Sequence, residues 1–247
     1  MLADSAIERG VTRWAAFSRS ATKLNKNALQ ARVLDVGCGR GEFVLAGLND
    51  GVDVYGIDVH SGGIEKFRAS GLAPNGGISC VAYDGEVFPF PSQHFRAVHS
   101  WFVFEHIPRP HHILAEINRV AAAGCVLVLN AQDGRTLFEG HAKIPWLPHL
   151  PRPLKQAWLE ETTTQERRDY ILSSVFETTG EEVRAVLQMF GWKMETFDVD
   201  GYPNALPLLY PCDLEETRKT AREAMRLFEA GKWPQQPTNY RIRAKKK

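Results

Sequence analysis

Residues 33 to 41 read Val33-Leu34-Asp35-Val36-Gly37-Cys38-Gly39-Arg40-Gly41, an aliphatic run followed by glycine at every second position. A buried parallel strand requires such a run. The turn after it requires residues without a Cβ wherever the backbone bends sharply or approaches a ligand closely. The pattern is that of a nucleotide-cofactor loop, and its spacing selects among cofactors. A dinucleotide fingerprint places its third glycine five positions after the first. That position is Glu42 here and the third glycine is Gly41, so a nicotinamide dinucleotide fits poorly. Taken alone, the turn also reads as a tight βα connection that binds nothing.

Strands and helices alternate outward from this loop. The spacing predicts strand one at 32–36, a helix over 41–49, strand two at 53–57 and a helix over 62–69. Strand three near 78–82, strand four at 96–101, a helix over 110–121 and strand five at 125–130 follow. Such alternation implies an α/β, doubly wound, mostly parallel sheet with helices on both faces. Before it, residues 5 to about 29 place Trp14, Phe17 and Leu24 at helical spacing, so 1–30 is expected as an N-terminal helical cap. After strand five the rhythm breaks. Ile144-Pro145-Trp146-Leu147-Pro148-His149-Leu150-Pro151-Arg152-Pro153 holds four prolines in nine residues, which forbids a regular helix or central strand there. A helical stretch over 154–174 comes next, and 131–178 reads as a lid or substrate-recognition insertion in a single domain spanning 31–247. The pattern resumes with a helix capped by Thr178 or Thr179 and stopped by Gly191, then a strand at 192–199. A long amphipathic helix from Asp213 to Ala230, with Gly231 as its C-cap, and a strand from Tyr240 to Ala244 complete seven strands.

The chain has 247 residues, 44% hydrophobic and 24% charged, which suits one α/β domain with an insertion. No stretch approaches the ~18 apolar residues of a membrane span. Met1 to Gly10 carries acidic residues and no apolar core segment, so a cytoplasmic location is expected. Cys38, Cys80, Cys125 and Cys212 form no C-x-x-C pair, which argues against a disulfide framework or a zinc knuckle. With 30 basic against 29 acidic side chains there is no global field to attract nucleic acid, and no nucleic-acid partner is expected.

The strand ends carry further signals. They are Asp35-x-Gly37-x-Gly39-x-Gly41, then Gly56-Ile57-Asp58, with Asp58 21 residues after Gly37, and Tyr83-Asp84-Gly85. Phe88-Pro89-Phe90-Pro91, Ser100-Trp101-Phe102-Val103-Phe104-Glu105-His106-Ile107 and Ala115-Glu116-Ile117-Asn118-Arg119-Val120 follow in order. From about 31 to 130 this series resembles, in register, the class I S-adenosylmethionine-dependent methyltransferases of the small-molecule type (methyltransferase domain 11/25-like). The resemblance implies a Rossmann-like fold, S-adenosyl-L-methionine as cofactor and S-adenosyl-L-homocysteine as product. It assigns cofactor contacts to Asp35, Gly37, Cys38, Gly39, Asp58, Val59, Asp84, Gly85 and Ser100. In it Asp58 accepts from the ribose hydroxyls and Asp84 from the adenine amine. Read without it, Asp58 is also a helix N-cap and Asp84-Gly85 a turn signal. Two departures, Arg96 and Ala121-Ala122-Ala123-Gly124-Cys125, fall near the sheet edge opposite the expected site. Methylases of amide or exocyclic nitrogens commonly carry an Asn/Asp-Pro-Pro-aromatic motif after strand four, and Ser100-Trp101-Phe102-Val103 stands there instead.

Methyl transfer asks an enzyme to hold the nucleophile in line and to remove a proton where needed. A hydroxyl acceptor calls for a base, and His106 is the first candidate, with Glu105 as its neighbour or as a structural contact. Packing beside the cofactor or capping the next helix is the alternative for His106. His111 and His112 are expected to be exposed, and with His141 and His149 they show no ligand spacing, so no metal is expected. Phe138 to Pro148 follows strand five, where class I enzymes build the acceptor pocket. His141 and Trp146 are its candidate substrate contacts, through stacking on sugar or aromatic rings. This segment also resembles one in bacterial methyltransferases linked to surface glycans. Its Trp-Leu-Pro rim would rest on a membrane surface if the acceptor were lipid-linked, and a lid that only packs over the cofactor is the alternative. The expected activity is O-methylation of a small-molecule or glycan acceptor. Alternatives are N- or C-methylation of a metabolite and a catalytically inactive cofactor-binding scaffold. Aminopropyl transfer is disfavoured because Trp101 to Phe104 is apolar.

Overall fold

The computed structural model describes residues 4–72, 79–200 and 210–247. Helix α1 (Asp4–Leu24) precedes β1 (Val33–Val36), α2 (Glu42–Asn49), β2 (Val54–Asp58), α3 (Ser61–Ala69), β3 (Cys80–Ala82), β4 (Phe95–Trp101), α4 (Pro110–Val120) and β5 (Ala121–Gln132). A hairpin of β6 (Phe138–Glu139) and β7 (Ile144–Pro145) follows, then α5 (Arg152–Thr162) and α6 (Gln165–Ser174). The chain finishes with α7 (Gly180–Met189), β8 (Trp192–Val199), α8 (Leu214–Glu229) and β9 (Asn239–Lys246). One sheet runs β3-β2-β1-β4-β5-β9-β8, with β8 and β9 antiparallel and the rest parallel. This is the expected doubly wound, mostly parallel seven-stranded sheet. The chain moves from β1 outward to β3 and returns to β4 on β1's other side, so the carboxyl ends of β1 and β4 part around a crevice.

Strand residues alternate between two cores, one on each face. Leu34, Val36, Val98 and Leu127 meet α4 and α7 through Ile117 and Leu187. Val33, Ala97 and Val126 meet α1, α2 and α3 through Trp14, Phe17, Phe43 and Phe67. The N-terminal helix is part of this second core. Phe17 packs edge-on to Phe43 at 5.3 Å, and the Trp14 indole N–H donates to Asp50 at 3.0 Å.

Three local expectations are corrected. The helix expected over 154–174 is two helices, because Thr162-Thr163-Thr164 sets three β-branched residues in a row and the Thr164 hydroxyl caps α6. Strand five, expected at 125–130, begins at Ala121, where the expected helix over 110–121 has already ended. Ala121 pairs with Phe95 and Val126 with Ala97, and the extra residues form a bulge with Gly124 at φ 74°. The last strand extends to Asn239–Lys246 because β5 and β8 pair with both its edges. Of strand three, Ile78 lies outside the described residues.

The proline-rich segment is the wall of a third core. Ile144, Trp146, Leu147 and Leu150 pack with Trp158, Ile171, Ala221 and Trp233. Trp146 and Leu147 are 4% and 3% exposed, so no Trp-Leu-Pro rim faces outward. Buried Asp133 joins this unit to the sheet, accepting the N–H groups of Arg135 (2.9 Å) and Gly180 (3.0 Å) and pairing with the Arg135 guanidinium. Among the described residues no helix is long and apolar enough to cross a membrane.

A Cβ on Gly10 would overlap the backbone carbonyl of Glu42, so α1 and α2 meet backbone to backbone there. Gly10→Ala is expected to lower stability by about 1–3 kcal/mol in urea unfolding through this overpacking. An unchanged midpoint would show that α1 is loosely held.

Candidate functional site

A cleft of about 730 Å³ opens at the carboxyl ends of β1 and β4. One half is lined by Gly37, Asp58, Val59, Tyr83, Asp84 and Gly85. The strand-one turn has Gly37 at φ 79°, Gly39 at φ 55° and Gly41 at φ 74°, conformations that favour glycine. Gly37 is constrained twice over, since a Cβ there would also overlap Val103. The N–H groups of Gly37 and Cys38 donate to the Ile57 carbonyl at 2.8 and 2.9 Å, and that of Gly39 donates to Asp58 at 2.8 Å. The other Asp58 oxygen accepts from His60 N–H at 2.9 Å, so this carboxylate fixes both flanking loops. Asp84 accepts the N–H groups of Glu86 (2.8 Å) and Val87 (3.1 Å), which hold its carboxyl below the ordinary range. Tyr83 is pushed up to about 12 by burial and by the neighbouring Asp58 and Asp84. It remains a neutral phenol.

The other half is lined by Trp101, Phe102, Val103, His106, Arg109, His112, Tyr170, Ser173, Ser174 and Phe176. A 3-10 turn, Phe104–His106, follows β4 and delivers His106. The Nδ1–H of His106 donates to the Ser174 carbonyl at 2.7 Å, since a carbonyl can only accept, and this leaves Nε2 as the lone-pair nitrogen. Burial, as the largest cause, lowers the His106 pKa, and His141 adds to it. Glu105 sits behind, 3% exposed, its backbone carbonyl accepting from Phe176 N–H at 2.8 Å. Burial raises Glu105 to about 7, and its Oε2 has no hydrogen-bond partner among the described residues. The β6–β7 hairpin carries buried Glu139, which accepts the Nδ1–H of His141 at 2.6 Å and so raises His141. The His141 ring lies 4.9 Å from that of His106 and 5.6 Å from Tyr170. At the rim, Arg109 and His112 both pair with Glu86. Phe102 stands at φ 54°, a backbone state that costs a bulky residue about 1–3 kcal/mol.

Residues 34–129 match a family model described as a methyltransferase domain. This stretch, about two fifths of the chain, is similar to that domain, and the sheet has the fold of solved S-adenosylmethionine-dependent methyltransferases. It is 31% identical over 120 residues to methyltransferase str2 of Strobilurus tenacellus, a match covering 46% of this chain and 40% of that protein. The chain spans about two fifths of the length of the curated relatives it matches. A solved S-adenosylmethionine-dependent methyltransferase of Mesorhizobium loti superposes with a TM-score of 0.57 at 15% identity, over 92% of this chain and 96% of that one. The [4+2]-cyclase SpnF superposes at 0.55 and 16% identity, over 92% and 80%. At these identities the structural likeness is one of fold.

Of the cofactor contacts expected from the sequence, Gly37, Asp58, Val59, Asp84 and Gly85 line the cleft. Asp35, Cys38, Gly39 and Ser100 are not among its lining residues. Asp35 turns toward α2 and accepts the Nδ1–H of His99 at 2.7 Å, with the His99 ring stacked on Phe43 at 3.9 Å. Cys38 and Ser100 are buried. The donor set fits S-adenosylmethionine. Two carboxylates, Asp58 and Asp84, line one half of the cleft beside Gly37, whose backbone reaches it without a side chain. His106 lines the other half with His141 beside it, whereas Trp146 lies in the third core with its indole N–H on Glu177 at 3.2 Å. Sequence reading did not find Phe102 or the α6 residues Tyr170 and Ser174. Nothing in their local pattern marks them. The Cys212, Asp213 and Glu216 group, the one cluster of metal-like spacing among the described residues, has Cys212 and Asp213 exposed and Glu216 half-buried, and it caps α8 through Asp213 and Glu216.

Because its folded pKa is raised, ionising Glu105 costs stability as pH climbs from about 4.5 to about 7. Glu105→Gln is therefore expected to raise the melting temperature by about 3–8 °C at pH 8 and by much less at pH 4.5. A gap independent of pH would show that Glu105 is not ionising in the fold.

Proposed function

We propose that this protein transfers a methyl group from S-adenosylmethionine to a hydroxyl of a small-molecule or glycan acceptor, with His106 as the base. The observation that carries this reading is His106 itself. It lines the same cleft as Gly37 and Asp58, and its Nδ1–H is committed to the Ser174 carbonyl, which leaves Nε2 to accept. Asp58 would hold the ribose hydroxyls, the Gly37 turn would run under the methionine portion, and Asp84 would face the adenine. When bound, S-adenosylmethionine supplies an electrophilic methyl group with a neutral thioether as leaving group. The protein's own part is positioning and proton removal. Trp101, Phe102, Val103 and Ile107 make the cleft apolar where the acceptor would sit, excluding water. The lowered pKa of His106 keeps its ring neutral, and so able to accept a proton, at neutral pH.

The fold is also that of SpnF, named as a cyclase, so a cofactor-binding protein without methyl transfer is the reading that experiment must separate. Isothermal titration is expected to show binding of S-adenosylmethionine and S-adenosylhomocysteine and none of NADH. Asp58→Ala should weaken S-adenosylhomocysteine by about 1–3 kcal/mol, the value of a charge-assisted contact. Unchanged affinity would remove Asp58 from the site. Nitrogen-15 NMR of the histidine rings should find His106 neutral, protonated at Nδ1, at pH 7. A charged ring at that pH would remove it as the base.

A further inference from the structure

Four non-glycine residues among those described have positive φ: Gln93, Phe102, Lys143 and His149. Three of them are polar and exposed. Phe102 is the exception, an aromatic residue 39% exposed on the wall of the cleft. Core packing does not account for it, and glycine would adopt the same backbone freely. Its neighbours hold the strained state. The Phe102 N–H donates to the Asn130 carbonyl at 2.7 Å, and Val103 next to it fills the space beside Gly37. Strain maintained in this way at a cleft points to use of the side chain there.

The same half of the cleft holds a second exposed ring. Tyr170 of α6 is 44% exposed, with its ring 6.3 Å from that of His106. The Phe102 ring meets Trp101 edge-on at 5.9 Å. The hydrogen-bonding groups on this wall are largely engaged within the protein: Arg109 and His112 by Glu86, the Ser174 carbonyl by His106, and the Ser173 and Ser174 hydroxyls by the Asp169 carbonyl and by each other. Aromatic faces with few open polar groups suit a flat apolar ring better than a sugar.

We propose that Phe102 is a specificity-determining residue that stacks on the acceptor, and that the acceptor is a planar aromatic ring bearing the hydroxyl to be methylated. This rests on the methyl-transfer reading. The phenolic oxygen gains the methyl carbon as the carbon–sulfur bond breaks. Its proton passes to His106 Nε2 and then to water, so the sulfonium's positive charge leaves as that proton and the thioether is neutral.

The test uses the full chain with catechol as probe and cis-1,2-cyclohexanediol as the saturated, non-aromatic control. Saturation-transfer NMR is run with S-adenosylhomocysteine present, beside transfer of tritiated methyl from S-adenosylmethionine to the same two compounds. The wild-type chain should bind and methylate catechol and neither bind nor methylate the diol. Phe102→Leu keeps apolar bulk without a ring and should weaken catechol by about 5- to 10-fold, the scale of an aromatic pair. It should leave S-adenosylhomocysteine affinity unchanged, while Phe102→Tyr should retain catechol binding. Equal binding of the two probes by wild type, or unchanged catechol affinity in Phe102→Leu, overturns the proposal. Failure of wild type to bind S-adenosylhomocysteine would instead bring down the methyl-transfer reading, and the proposal with it.

Discussion

The close approach of Gly37 to Val103 is the contact on which the rest of the site depends. β1 and β4 are neighbours, and the two chains must leave the sheet in different directions within a residue or two of each other. That is possible because Gly37 takes φ 79° and carries no side chain where Val103 stands. On the β1 side, this frees the backbone N–H groups of Gly37, Cys38 and Gly39 to be fixed by the end of β2, at Ile57 and Asp58. On the β4 side, it pins Val103, and so sets the strained Phe102 before it and the 3-10 turn with His106 after it. One contact therefore positions both halves of the cleft.

The insertion after β5 completes the half of the cleft that holds His106. It owns a core built from Trp146, Trp158, Ile171 and Trp233, so its surface elements are presented on a rigid base rather than as a loose flap. Two neighbouring residues after β4 bond it to the sheet. His106 donates to Ser174, and Glu105 accepts from Phe176. His106 is thus oriented by the insertion, and a shift of α6 would change the direction of its Nε2 directly.

The βα alternation from β1 to β5 was legible because each strand is a short aliphatic run bounded by glycine, proline or acidic residues, and the glycine spacing at 37, 39 and 41 marks the turn. That Asp58 and Asp84 stand at strand ends was legible directly, while their assignment to the cofactor came from the family resemblance. Side-chain direction was harder. Asp35 lies in the motif yet faces His99, because a strand residue's face is set by register with both neighbours. Trp146 was read as a contact surface because prolines and tryptophan also characterise binding loops, and periodicity does not distinguish such a loop from a small core. Tyr170 and Ser174 had no signal, since their role comes from where the third core docks α6. The strain at Phe102 is invisible in sequence, where positive φ is normally announced by glycine or asparagine.

The central claim is that the cleft at the β1–β4 parting is the cofactor site. Backbone amide NMR during titration with S-adenosylhomocysteine tests it most directly. Shifts concentrated at Gly37, Gly39, Asp58, Val59, Asp84 and Gly85, with the buried Trp158 and Trp233 indoles unmoved, are the predicted result. Shifts centred elsewhere, or none at saturating ligand, would contradict it.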